Sequence, residues 1–133
     1  MNIAVIDQHP VLRSGMSVLL KDHFADLNIL ETTCLSSFKQ DRIHQYFDII
    51  IIGLAEECEG IDQAALKRIM RENPGSSFVV YAGKLQYEQA VSLMKVGVRG
   101  YLLKNNRPEE LLTCIKTVIS GNNYLCSEVR NFS

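Results

Sequence analysis

The sequence has no apolar run long enough to span a bilayer. Its first residues, MNIAVIDQHP, lack the basic start and long apolar core of a secretory signal. No cluster of Lys or Arg stands out, and the formal net charge is −1, which argues against this segment gripping nucleic acid by its phosphates. The cysteines Cys34, Cys58, Cys114 and Cys126 form no CxxC pair and keep no zinc-finger spacing with His9, His23 or His44. Together these absences leave a cytoplasmic protein with reduced thiols and no membrane partner, and neither a metal site nor a cofactor is expected.

What is present fits one globular domain. The chain has 133 residues, is 47% hydrophobic and 22% charged, and is large enough for one sizeable core. Its most informative stretch is Phe47–Leu54, FDIIIIGL. The four consecutive isoleucines have no polar face, so both sides should be buried, and β-branching favours a strand. This reads as the central strand, Asp48–Leu54, of a parallel sheet.

Strands and helices alternate around it. Asn2–Asp7 reads as the first strand, followed by a helix opening at Pro10 with Leu12, Met16, Leu19 and Leu20 on its buried stripe. Leu27–Thr33 is a more polar strand. Leu35–Gln45 is a helix with Leu35, Phe38 and Ile43 inward and Ser36 or Ser37 as cap. After the acidic loop Ala55–Gly60 come a helix over Ile61–Glu72, a strand at Ser77–Ala82 and a helix over Gln86–Val96 stopped by Gly97. Arg99–Leu103 is the fifth strand. Pro108–Ser120 is the fifth helix, its stripe supplied by Leu111, Leu112, Ile115, Val118 and Ile119. Residues 1–121 thus form the domain, and 122–133 read as a tail or the start of a linker. The pattern implies an α/β (βα)5 doubly wound sandwich with a five-stranded parallel sheet; the flavodoxin-like order 2-1-3-4-5 is the natural choice, adopted as a known arrangement of such sheets and not fixed by the pattern itself. In such a sheet the site lies at the carboxyl ends of the strands, which here carry Asp7 and Gln8, Gly53, Ala82 and Gly83, and Lys104.

With IAVIDQHPVLRSGM at the start, FDIIIIGL in the middle, and VGVRGYLLKN and RPEELLTCIKTVISG near the end, the chain resembles the receiver domain of two-component response regulators, most of all the NarL/LuxR type. The resemblance implies two acids after the first strand to hold Mg²⁺; Asp7 fills one position, and Gln8, a poorer ligand, stands in the other. It implies a phosphoacceptor aspartate where this chain has Gly53, and a Ser or Thr where it has Ala82. The conserved-type lysine matches Lys104 and the switch aromatic matches Tyr101, while AEECEG replaces the usual Met-Pro after the acceptor. Every change removes a contact to phosphate or metal. The expectation is therefore an atypical receiver with a degenerate phosphorylation site at Asp7, Gln8, Gly53, Ala82 and Lys104, and no catalytic residues.

Asp7 and Lys104 read as a structural pair, His9 as a capping or surface residue, and Glu56 and Glu57 as a solvated acidic loop. Alanine at 82 leaves room for Tyr101 to stay inward. The functional expectation is a non-enzymatic regulatory module of a bacterial transcription regulator that acts without aspartyl phosphorylation, through homodimerisation or a protein partner. Thr113, Cys114 and Thr117 are candidate interface residues. DNA is expected to be bound only through a carboxyl-terminal helix-turn-helix domain absent from this sequence. Two alternatives stand beside this: a small-molecule sensor using the vacated pocket, and a magnesium-dependent phospho-accepting receiver.

Overall fold

In the computed structural model, residues 1–41, 45–54 and 62–131 are described. Six strands run in the order β2-β1-β3-β4-β5-β6, and every neighbouring pair is parallel. They are β1 (Asn2–Ile6), β2 (Asn28–Thr32), β3 (Ile49–Leu54), β4 (Ser77–Ala82), β5 (Gly100–Leu103) and β6 (Tyr124–Leu125). The helices are α1 (Pro10–His23), α2 (Leu35–Asp41), α3 (Gln63–Glu72), α4 (Tyr87–Val96), α5 (Pro108–Ile119) and α6 (Ser127–Arg130).

The isoleucine run is the centre of this sheet. Ile49–Ile52 are all at most 3% exposed, and β3 is hydrogen-bonded on both sides, to β1 and to β4. A strand covered on both faces needs no polar alternation, which explains the unbroken apolar sequence. The first five strands keep the flavodoxin-like order. The sixth corrects the five-stranded expectation: Tyr124 and Leu125 pair with Gly100 and Tyr101, so the presumed tail extends the sheet and covers the β5 edge. Two residues are too short a run to announce a strand by periodicity, and only the neighbouring edge makes Tyr124–Leu125 one.

Local chemistry sets the element ends. The Asp62 carboxylate accepts from the backbone N–H groups of Ala64 and Ala65, so α3 starts at Gln63. Gly97 closes α4 with φ of 122°, a conformation that favours glycine. At α2 the residue before the helix is Cys34, whose carbonyl accepts from Phe38 N–H; Ser36 and Ser37 lie inside the first turn and contact the Cys34 sulfur instead. The Ile43 position assigned to this helix, the loop glutamates Glu56 and Glu57, and Cys58 lie outside the described residues.

On α5, Leu111, Leu112, Cys114, Ile115 and Val118 are buried. Ile119, placed on the stripe by sequence and the last residue of α5, is 50% exposed. Cys114 is the opposite correction. It shares the face of Leu111, Ile115 and Val118 at helical spacing and is fully buried, so it cannot serve as an interface residue. Its sulfur packs on Gly100, where an added Cβ would lie 2.8 Å from Cys114 Sγ. No helix among the described residues is long and apolar enough to cross a membrane.

Candidate functional site

The carboxyl ends of β1, β3, β4 and β5 meet at one place. Gly53 lies opposite Tyr81, and Leu54 opposite Ala82; the Gly83 N–H donates to the Leu54 carbonyl and the Lys104 N–H to the Ala82 carbonyl. This backbone frame sets Asp7, Gly53, Ala82 and Lys104 around a common centre, while Gln8, next in sequence to Asp7, is exposed.

Asp7 is the buried charge of the site, 2% exposed. Its Oδ1 accepts from the His9 backbone N–H at 2.7 Å and lies 3.1 Å from His9 Nδ1. Its Oδ2 lies 2.7 Å from Lys104 Nζ, an ion pair in which the lysine side chain is 14% exposed. The approach is close but poorly angled, and Oδ2 has no hydrogen-bond partner. A carboxylate this deeply buried needs a counter-charge, and Lys104 supplies it. Arg13 of α1 reinforces the same corner: Nη1 donates to the Asp7 carbonyl at 2.6 Å, and Nε pairs with Glu31, which also accepts from Ser17 Oγ.

The orientation of Asp7 depends on Gly53. A Cβ built on Gly53 would fall onto Asp7 Oδ2, within 2.6 Å of Cγ and 3.0 Å of Cβ. The Asp7 carboxylate therefore occupies the volume in which a side chain at position 53 would begin. Ala82, 2% exposed, contributes no polar atom.

Tyr101 is fully buried, and its hydroxyl makes no hydrogen bond. Burial pushes its pKa up, and the nearby Gln86 backbone works the other way. Tyr81, also buried, has its pKa raised by burial first and by the Asp7 charge second. Among the described residues no group of three or more His, Cys, Asp or Glu is arranged to hold a metal ion.

Sequence reasoning missed three members of the site. His9 does occupy the cap position of α1, but its ring makes no cap; it turns to Asp7 and lies 3.4 Å from Lys104 Nζ. Arg13 and Tyr81 carried no signal of their own, since each reaches the site from a position that helix or strand periodicity alone treats as ordinary. Of the suggested interface residues, Thr113 is exposed and Thr117 half-buried, each hydroxyl bonded back to its own helix. Between α1 and α5 a groove of about 500 Å³ is lined by Val11, Leu12, Gly15, Leu19, Pro108 and Leu111, among others.

Comparison with known proteins gives a consistent picture. The family described as response regulator receiver domain matches residues 3–116. The oxygen regulatory protein NreC of Staphylococcus carnosus (strain TM300) is 25% identical over 127 residues, which cover 94% of this chain and 58% of that protein. NreC of Staphylococcus aureus (strain JH9) is 25% identical over 126 residues, again 94% of this chain and 58% of the relative. The chain thus spans well under two thirds of these relatives. Among solved structures, the isolated REC domain of RcsB from Salmonella enterica serovar Typhimurium, with the phosphomimetic BeF3-, superposes with a TM-score of 0.84 at 19% identity, covering 98% of this chain and 96% of that one. A LuxR family DNA-binding response regulator from Silicibacter pomeroyi gives 0.79 at 17% identity, covering 97% and 98%.

Proposed function

Since the chain belongs to the response regulator receiver domain family, we propose that it is the regulatory receiver of a NarL/LuxR-type transcription regulator whose output does not depend on aspartyl phosphorylation. The family is a regulatory one, and no catalytic role is assigned to any residue here. The observation that carries the reading is the Asp7–Gly53 contact. An acyl phosphate needs a carboxylate at the end of β3, and Gly53 provides none, while Asp7 has turned into the space that side chain would take and is neutralised by Lys104.

The residues do not fit Mg²⁺. A hard dication takes several oxygen ligands. Among the described residues at this site, Asp7 is held in an ion pair, Gln8 is neutral and exposed, and Gly53 has no side chain. This counts against the magnesium-dependent phospho-accepting alternative. The sensor alternative is also disfavoured, because the space expected to be vacant at Gly53 is filled by Asp7.

Output is proposed to run through self-association. The exposed face of α1 carries Val11 (87% exposed), Gly15 and Val18 (62% exposed) at helical spacing, beside the groove formed with α5. Solved RcsB structures include one of two RcsB dimers bound to two parallel DNAs. By analogy, DNA binding by this protein is assigned to a further domain, with β6 and α6 packed as part of the receiver rather than as the linker expected for residues 122–133.

The test is a nuclear magnetic resonance titration with beryllofluoride and Mg²⁺. The amides of Asp7, Gly53 and Lys104 should stay in place. A saturable, magnesium-dependent shift at those residues overturns the reading.

A further inference from the structure

The β5–α5 connection opens with a four-residue turn, Leu103–Asn106, closed twice. The Asn106 N–H donates to the Leu103 carbonyl at 3.0 Å, and the Leu103 N–H donates to Asn106 Oδ1 at 2.8 Å. Two side chains leave this turn in different directions. Lys104 reaches Asp7 at 2.7 Å. Asn106 donates through Nδ2 to Glu128 Oε2 on α6 at 2.8 Å.

The segment that Asn106 reaches is attached at its root by several contacts. Tyr124 O–H donates to Glu110, Arg99 bonds Asn123 and the Gly121 carbonyl, and the Cys126 N–H donates to the Tyr101 carbonyl. Farther along, the contacts thin out. Among the described residues, Val129 is the buried apolar anchor of α6, and Asn106–Glu128 is its side-chain hydrogen bond to the rest of the domain. Cys126, at the start of α6, is fully buried.

We propose that the Leu103–Asn106 turn couples the Asp7–Lys104 pair to the docking of α6, with Asn106 as the positioning residue. This rests on the reading of Asp7–Lys104 as the resting contact of a closed site. A doubly closed turn moves as a unit. While Lys104 is drawn to Asp7, the Asn106 amide faces Glu128 and α6 is held down. When Lys104 is released, the turn is free to rotate, the Asn106–Glu128 bond is lost, and α6 lifts from the sheet. The state of a pocket that receives no phosphoryl group is thereby reported to the part of the chain that follows it.

Cys126 is the built-in reporter. In a Cys34→Ser, Cys58→Ser background, N-ethylmaleimide labelling of Cys126 is followed by peptide mass spectrometry, with Cys114 as the internal measure of global opening. Asn106→Ala should raise Cys126 labelling by about threefold to tenfold, the range corresponding to one net hydrogen bond, and Lys104→Met should raise it by more than it raises Cys114, which registers that variant's global destabilisation. In Asn106→Ala, Cys114 should stay protected, and Arg107→Ala, on an exposed neighbour of the turn, should change neither thiol. Unchanged Cys126 labelling in Lys104→Met or in Asn106→Ala overturns the coupling, as does a parallel rise of both thiols. Glu128→Ala, a surface change that leaves the core intact, provides the reverse reading. Coupling is reciprocal, so this variant should shift the amide resonances of Lys104 and Asp7, and unmoved resonances contradict the proposal. Neither measurement involves phosphoryl transfer, so failure here leaves the phosphorylation reading to stand or fall on its own titration.

Discussion

The Asp7 carboxylate lies where the Cβ of residue 53 would be, and Gly53 is what permits it. This relationship makes the glycine a packing feature of the site. Gly53→Ala should therefore destabilise the fold, because the new methyl must displace a carboxylate that is buried and paired with Lys104. Overpacking of this kind costs about 1–3 kcal/mol, measurable as a lower urea midpoint. A midpoint equal to that of the wild type contradicts the close contact.

Lys104→Met should cost more. It leaves the Asp7 carboxylate, 1% exposed at its side chain, without its partner. Breaking a buried pair from one side costs about 3–5 kcal/mol. The double variant Asp7→Asn, Lys104→Met should recover part of this loss, and a double-mutant cycle reads the coupling directly. Simple additivity of the two single variants contradicts the pair.

A carboxylate placed at position 53 alone should not confer phosphorylation. In Gly53→Asp the new side chain begins inside the Asp7 carboxylate, placing two acids in one space beside a single lysine. The variant is expected to be less stable than the wild type and to form no acyl phosphate with acetyl phosphate and Mg²⁺. The triple variant Gly53→Asp, Gln8→Asp, Ala82→Thr should gain phosphorylation, because Mg²⁺ held by the added acid at position 8 together with Asp7 draws Asp7 out of the space at position 53, and the threonine adds a hydroxyl. Stable phosphorylation of Gly53→Asp by itself contradicts this account of the pocket.

Cys34 should be the reactive thiol among the described cysteines. It is exposed, and the hydroxyls of Ser36 and Ser37 hold its pKa down from 9.0 to about 7, whereas burial pushes Cys114 up to about 12. The thiolate is the reacting form, so alkylation of Cys34 should climb as pH rises through about 7 and level off above it. Ser36 is the larger cause, and Ser36→Ala should move the midpoint upward. A midpoint already at the ordinary thiol value in the wild type contradicts the assignment. Measurement in a Cys58→Ser background isolates the signal.

Self-association through α1 and α5 should be sensitive to charge on the exposed α1 ridge. Val11→Glu and Val18→Glu lie on open surface and should leave the fold intact. Each is expected to shift a dimer toward monomer in sedimentation equilibrium, because burying an unpaired carboxylate opposes association. An unchanged molecular mass in a protein that is otherwise dimeric places the interface elsewhere.

Most of the fold was legible from periodicity because the sheet is buried on both sides. The unbroken Ile49–Ile52 run, the helical stripes of α1 and α5, and Gly97 after α4 each state their role locally. The β6–α6 segment was not legible. Tyr124–Leu125 becomes a strand only because β5 offers it an edge, a tertiary fact with no local signature. Cys114 was misread for a related reason: between Thr113 and Thr117 it looks like part of a polar face, yet its spacing from Leu111 and Val118 turns it inward. At the site, the residue types at the strand ends were readable, but the turn of Asp7 into the Gly53 space was not. That turn depends on the distance between β1 and β3 and on the reach of Lys104.

The central claim is that this receiver works without an aspartyl phosphate. Intact-mass spectrometry of the wild-type chain after incubation with acetyl phosphate and Mg²⁺ tests it most directly. The account predicts an unmodified mass; a magnesium-dependent, hydroxylamine-labile phosphoryl adduct on any carboxylate of the chain would contradict it.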